Sequence, residues 1–166
     1  MKNKWSLILL LTAVSCTTEP TTTEKDKFDF PSREIDVVTG ISIDIVENLK
    51  PSQQLSDHAQ VQYTDLLNDQ FMTVEQLDAT SAQGDDPIET FKKTNQVIHE
   101  EIIKHEGNEI VKMEAKLIGT TEPMIFWMCL KIVNKVEYLI TIWTSVEGAD
   151  EFNDKALMMI ASLGTV

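Results

Sequence analysis

The side chains of this chain that could do covalent or metal chemistry include two cysteines and three histidines, and their sequence context decides what each can do. Cys16 ends an N-terminal segment in which Lys2 and Lys4 precede an apolar run, and a polar, Thr-rich stretch follows it. The run that begins at Trp5 is too short to span a bilayer as a permanent helix, and its order is that of an export signal. The sequence therefore predicts processing at Cys16.

The cleavage region, Ala13-Val14-Ser15-Cys16, resembles the lipobox of bacterial lipoproteins. The resemblance implies a diacylglycerol joined to Cys16 by a thioether and cleavage before that residue. Two or more acyl chains would anchor the protein stably, because each buried methylene contributes about 0.8 kcal/mol. The alternatives are an ordinary secretory peptide with an incidental cysteine, or a short membrane anchor.

The domain organisation follows from this prediction. Residues 1–15 are the signal peptide, residues 16–27 a polar, disordered tether, and residues 28–166 a single folded domain. The mature chain would have 151 residues (166 − 15), and loss of Lys2 and Lys4 would change its formal charge from −13 to −15. That length suffices for one domain with a real core.

The strong negative charge bears on the partners. It argues against nucleic acid, because phosphate binding needs clustered Lys and Arg. It also argues against electrostatic adhesion to anionic lipid, so the membrane contact is expected through the lipid on Cys16. A cationic ligand or basic partner and a merely solubilising surface charge are both open, and the solubilising charge is the favoured interpretation.

The other reactive residue types favour structural roles. Cys129 lies in an apolar run, and the predicted lipid on Cys16 leaves it no cysteine with which to form a disulfide. Both observations favour a buried, inert thiol. The histidines are His58, His99 and His105. Neither the spacing of His99 and His105 nor that of Asp150, Glu151 and Asp154 matches a zinc pair or a calcium loop. No metal, no cofactor and no catalytic residue is predicted.

The pattern of apolar residues predicts an α+β domain with a largely antiparallel sheet. Strands are predicted at 34–38, 41–45, 59–64, 71–77, 109–118, 124–133 and 136–144. One helix is predicted from Asp86, with Pro87 at its first position, to Gly107, and a second from Gly148 to Leu163.

The two longest strands predict the centre of the sheet. If two residues, Asn134 and Lys135, connect them, Phe126 lies opposite Trp143 and Trp127 opposite Ile142. Both faces of this hairpin are then apolar, so helices are expected to cover both, as in an α/β/α sandwich. Trp127 and Trp143 are candidates for lining a pocket, although packing in the core is the favoured interpretation.

This order of elements resembles a known family. The run from Gly40 to Leu49, followed by a hairpin, a long helix, a Trp-bearing hairpin and an amphipathic C-terminal helix, resembles the PsbP-like fold over residues 28–164. The resemblance implies a sheet with helices on both sides and a protein that binds or assists other proteins. It provides no site residues.

We therefore expect a non-catalytic, membrane-anchored lipoprotein that binds or assists an envelope protein. The alternative is a carrier of a small hydrophobic ligand or lipid in the periplasm. Thr17 follows Cys16 where Asp would signal retention in the inner membrane, so resemblance to Gram-negative lipoproteins implies the outer membrane, facing the periplasm.

Overall fold

The computed structural model describes residues 32–36, 40–77 and 86–166. The predicted signal peptide, Cys16, the tether and the domain start at residue 28 lie outside the described residues. Within the described ranges, no helix combines the length and the apolar character needed to cross a bilayer.

The described residues form two antiparallel sheets and two helices. A seven-stranded sheet has the order β3-β4-β5-β9-β8-β7-β6, and a three-stranded sheet has the order β1-β2-β10. The strands are β1 Ser32–Asp36, β2 Ile41–Ile45, β3 Lys50–Pro51, β4 Ala59–Asp65, β5 Gln70–Leu77, β6 Gln96–His105, β7 Asn108–Lys116, β8 Met124–Val133, β9 Val136–Ser145 and β10 Gly164–Thr165, and the helices are α1 Pro87–Thr94 and α2 Ala149–Ser162. This confirms an α+β domain with a largely antiparallel sheet.

The β8–β9 hairpin is the centre of the large sheet and has the predicted register. Its two turn residues have positive φ angles, 53° at Asn134 and 69° at Lys135, as a type I′ turn requires. Phe126 pairs with Trp143 and Trp127 with Ile142. Alternate residues therefore point to opposite sides: we call the side that carries Trp127 the first face and the side that carries Trp143 the second face.

The first face holds the main core. From the hairpin it presents Trp127, Cys129, Tyr138, Ile140 and Ile142, all nearly or fully buried. Helix α2 packs on them through an inner stripe that consists of Phe152, Ala156, Met159 and Ile160. The apolar residues of β2, which are Ile41, Ile43 and Ile45, complete the same cluster. Full burial of so many large side chains makes this face the main source of hydrophobic stabilisation.

The second face carries α1, whose start agrees with the prediction. Asp86 accepts hydrogen bonds from the amides of Ile88 (2.8 Å) and Glu89 (3.5 Å), and Pro87 occupies the first turn. Phe91 packs against Phe126 with ring centroids 4.9 Å apart. Because α1 has only eight residues, full coverage of both faces by helices is not confirmed.

The prediction that this helix continues to Gly107 is wrong for residues 96–105, which form β6. Asn95 leaves the helix in an extended conformation, and the segment after it is rich in β-branched residues, whose restricted side chains favour strands. Pairing with β7 then supplies the backbone hydrogen bonds. Gly107 (φ 78°) and Glu106 (φ 46°) form the β6–β7 turn instead of a helix end.

Other boundaries differ by only a few residues. Strand β1 occupies 32–36 rather than 34–38, of which 37–38 lie outside the described residues. Strand β7 ends at Lys116 rather than at Ile118, because a turn follows. The short strands β3 and β10 were not predicted, since two residues carry no readable alternation.

Candidate functional site: an apolar loop end and an aromatic cleft

Three connections meet at one end of the large sheet, and we call them together the loop end. They are the β4–β5 turn (66–69), the β7–β8 loop (117–123) and the β9–α2 connection (146–148). All three line one cavity of about 810 Å³ through Asp69, Gly119–Met124 and Ser145–Glu147. The antiparallel order of strands places them together, because β4, β7 and β9 end, and β5 and β8 begin, on that side.

The loop end exposes large apolar side chains. The exposed fractions are 75% for Leu66, 95% for Leu67, 81% for Ile118 and 43% for Val146. Single exposed apolar residues are ordinary, but several on neighbouring loops around one cavity are typical of an interaction surface.

The cavity at the loop end has acidic walls. Asp69, Glu122 and Glu147 line it, and no Lys or Arg is among its lining residues. An apolar surface with only negative charges at its border suits a ligand that combines apolar and cationic groups.

A buried carboxylate fixes the β4–β5 turn. Asp65, only 8% exposed, accepts hydrogen bonds from Leu67 N (3.0 Å), Asn68 Nδ2 (2.6 Å) and Asn48 Nδ2 (2.8 Å). Burial acts to raise the pKa of Asp65, but these hydrogen bonds outweigh it and hold the pKa below its ordinary value. The same Asn48 amide donates to Gln70 Oε1 at 2.6 Å. The turn that displays the two leucines is therefore held in one conformation.

A second cavity, the aromatic cleft, opens on the second face beside α1. Its volume is about 380 Å³, and it is bounded by Phe91 of α1, Phe126 and Met128 of β8, and Leu139 and Trp143 of β9. Trp143 stacks between Phe71 (centroids 5.3 Å apart) and Phe126 (6.2 Å). Flat rings in a row offer a surface for an apolar or aromatic group.

Strand register assembles the polar part of this cleft. Thr73 of β5 lies opposite Thr141 of β9, and Glu75 lies opposite Leu139. Glu75 is the one charged residue among those that line the cleft. The cleft thus offers apolar walls, hydroxyl groups and one carboxylate, which suit binding by shape and hydrogen bonds.

One edge of the cleft is fixed by Gln62. Its Oε1 accepts from Leu55 N (2.9 Å) and Ser56 N (3.1 Å), and its Nε2 donates to Ser56 O (2.6 Å). Leu55 and Ser56 line the cleft, so one side chain positions this part of its border. The alternation of β4 places Gln62 on the second face, although nothing in its sequence context indicates this role.

The two tryptophans lie on opposite faces. Trp143 lines the aromatic cleft. Trp127 is fully buried, packs edge-on against Phe152 and donates from Nε1 to Asn153 Oδ1 at 3.2 Å. Trp127 lines none of the described cavities, so the two do not share a pocket.

The remaining residues singled out by sequence do not converge. Cys129 is buried, and burial raises the pKa of its thiol while Lys131 acts in the opposite direction. His58 and His99 are exposed, and Asp150 and Glu151 lie in the first turn of α2, where the helix dipole favours them. Within the described ranges, no three His, Cys, Asp or Glu side chains are grouped to hold a metal ion.

A third cavity, of about 600 Å³, has polar walls and lies near the Asp65 network. Asn48, Asn68 and Gln70 line it together with Lys50 and Lys155. Its amides already bond to one another or to Asp65, and Lys50 Nζ donates to Glu47 O at 3.0 Å. We therefore assign these residues to fixing the turn.

Comparison with known proteins identifies the fold of this chain. No protein-family model and no curated protein matches the chain. Among solved structures it is similar to the solution structure of cyanobacterial PsbP (CyanoP) from Synechocystis sp. PCC 6803, with a TM-score of 0.52 and 12% identity over 81% of this chain and 92% of that one. PA94 from Pseudomonas aeruginosa, a protein of unknown function, gives a TM-score of 0.40 and 8% identity over 79% and 94%, too distant to support an argument. The likeness to CyanoP shows the fold alone: the chain has a PsbP-like α+β fold.

Proposed function

We propose that this chain is a non-catalytic, lipid-anchored binding domain of the bacterial cell envelope, and that it engages a partner protein through the loop end. The observation that carries the proposal is the exposure of large apolar side chains on the three connections that together line one acidic cavity. Leu66 and Leu67 stand on a turn that the Asp65 network holds in place, so binding needs little ordering of the chain. The partner surface is expected to combine an apolar pocket with Lys or Arg at its border.

The anchor belongs to the same proposal. A lipid on Cys16 would keep an acidic domain near a membrane that its charge does not favour, and Thr17 is compatible with the outer membrane facing the periplasm. Radiolabelled palmitate tests this step: wild type should incorporate label, and Cys16→Ser should not. Equal labelling of both, or none in wild type, would remove the anchor from the proposal.

The arrangement of layers supports binding rather than a closed core. In this proposal α2 and α1 are layers on opposite sides of the sheet, and the α1 layer is incomplete. The open part next to α1 is the aromatic cleft.

In-cell photocrosslinking tests the loop end. A photoreactive amino acid at Leu67 should give a discrete protein adduct, whereas the same group at Ile132 should not. Ile132 is a matched control, because it is 72% exposed and lies near the opposite end of β8. The same adduct from both positions, or only random abundant envelope proteins from Leu67, would refute this site.

The second candidate function is a carrier of a small hydrophobic ligand, which the aromatic walls of the cleft favour. Envelope lipids should then change the tryptophan fluorescence of the protein in a saturable way. Trp143→Phe should abolish the change, because Trp127 is buried on the first face and reports only on the core. A change that persists in Trp143→Phe would place the ligand elsewhere.

A further inference from the structure

The open edge of the large sheet is strand β6. Among the described residues β6 pairs only with β7, so one side of this ten-residue strand has no neighbouring strand. The opposite edge is the two-residue strand β3, which ends in Pro51. A short edge with proline resists pairing, whereas a long open edge presents free amides and carbonyls to another strand.

A bulge limits the part of β6 that is regular. The register shifts between Val97 and His99, which disturbs the start of the edge. The regular part therefore runs from His99 to His105, and Ile102 is its central residue. Ile102 is 59% exposed although it is a large apolar side chain.

The residues on either side of Ile102 are complementary to a second copy of the strand. Glu100, Ile102 and Lys104 share the second face, because they pair with Met113, Val111 and Glu109 of β7. In an antiparallel pair of two β6 strands centred on Ile102, Ile102 contacts its own copy. Glu100 of each protomer then faces Lys104 of the other.

Other symmetric registers are less favourable. When β6 pairs with its own copy and the second faces of both copies stay on the same side, the two-fold axis passes through a pair of identical residues. Each possible register is therefore named by the residue that lies opposite its own copy. A centre at Glu100 or Glu101 opposes two identical carboxylates, and a centre at Ile103 places Ile102 opposite Lys104. On the second face, only the centre at Ile102 within this stretch pairs an apolar residue with itself and opposite charges around it. Glu100 also accepts from Lys92 Nζ at 2.6 Å, which holds its side chain in place on this face.

We propose that two copies of this chain associate through antiparallel pairing of their β6 strands, centred on Ile102. Two seven-stranded sheets then continue into one another across a two-fold axis. The occupant of the edge is a second copy of the chain, because the charge order of the strand is complementary to its own reverse. This inference is independent of the partner at the loop end and of the aromatic cleft.

Cysteine crosslinking of the full chain in membranes tests the register. Directly opposed residues of an antiparallel pair have Cα atoms about 4.5–5.5 Å apart, within the range of a disulfide. Ile102→Cys should therefore form a disulfide-linked dimer under mild oxidation. Ile98→Cys should not, because residue 98 and its copy would lie about 26 Å apart at roughly 3.3 Å per residue. Wild type gives the background, since Cys129 is buried.

Charge exchange tests the complementarity. Lys104→Glu should raise the dimer dissociation constant about tenfold, because two attractive cross-strand pairs become repulsive. Adding Glu100→Lys should restore association, as measured by sedimentation of the full chain in detergent, with melting temperatures to verify folding. Equal crosslinking at positions 98 and 102, no dimer at 102, or no recovery in the double variant would overturn the proposal.

Discussion

The carboxylate of Asp65 offers the sharpest test of how the loop end is built. Several donors converge on it, among them the backbone amide of Leu67 at 3.0 Å and the side-chain amides of Asn48 and Asn68 at 2.8 and 2.6 Å. Hydrogen bonds to a charged group contribute about 1.5–3 kcal/mol each, although bonds that water can replace contribute less. Asn68 is exposed, so its bond is the easiest to replace.

We therefore expect Asp65→Ala to lower the free energy of unfolding by about 2–4 kcal/mol at pH 7. Asp65→Asn should cost less, about 1–2 kcal/mol, because an amide of the same shape keeps its oxygen toward some donors but turns its own N–H groups toward another. Chemical denaturation followed by tryptophan fluorescence measures both, since Trp127 reports on the core.

The pH dependence identifies the charge as the cause. The hydrogen bonds lower the folded pKa of Asp65 from its ordinary value, so the unfolded state binds a proton more readily than the folded state. The stabilisation is thus complete above the unfolded pKa and disappears as the pH falls through the folded pKa. The difference in stability between wild type and Asp65→Asn should shrink between about pH 5 and the acid limit of folding.

Two results would contradict this reasoning. If Asp65→Ala costs less than about 0.5 kcal/mol, the network does not hold the turn. If the difference between wild type and Asp65→Asn is the same at pH 6 and near pH 3, the loss comes from shape and not from charge. Leu67→Ser serves as the control, because this exposed side chain lies in the same turn and its loss should leave stability nearly unchanged.

Three further changes test the second face. Gln62→Leu should cost about 1–2 kcal/mol and speed hydrogen exchange at Leu55, because the loop loses three hydrogen bonds; unchanged exchange there would show that packing alone holds the loop. Asp86→Ala should destabilise α1 by about 1 kcal/mol, visible as faster exchange at Ile88, and an effect spread evenly over the sheet would argue against a local cap. Trp143→Ala should lower stability by about 2–3 kcal/mol, less than a fully buried tryptophan would, and a cost above 4 kcal/mol would mean that the cleft is closed in solution.

Local sequence patterns were sufficient to predict the register of the central β8–β9 hairpin. Apolar runs on both sides of Asn134 and Lys135 predict the two strands, and a two-residue turn between them sets every pair from Met124 to Ser145. Asp86 and Pro87 likewise determine the start of α1, because a cap acts within one turn of helix. The PsbP-like fold follows from the order of such elements.

The segment after Asn95 shows where local patterns are insufficient. Ile98 and Ile102 are four residues apart, a spacing that an amphipathic helix also has, so the period alone does not separate the two structures. The segment forms a strand because pairing with β7 provides hydrogen bonds for its backbone N–H and C=O groups. The high content of β-branched residues in this segment was the local feature that favoured a strand.

The candidate sites also required the tertiary structure. Asp69, Glu122 and Val146 are far apart in the chain and line one cavity only because three strand ends lie on the same side of the sheet. Cross-strand register places Glu75 in the lining of the aromatic cleft and Gln62 on the same face, where it holds the Leu55–Ser56 border. The spacing of residues within one strand or helix does not show which residues of other elements lie next to them.

The sequence by itself determined the strand alternation, the helix cap, the acidic charge and the prediction of a lipid at Cys16, since each depends on neighbours within a few residues. The tertiary structure alone decided which faces are covered, that Trp127 belongs to the core and Trp143 to an open cleft, and that apolar turns gather at one end. The physical reason is that burial and contact depend on the packing of elements distant in sequence, while turns, caps and alternation are set by local backbone geometry.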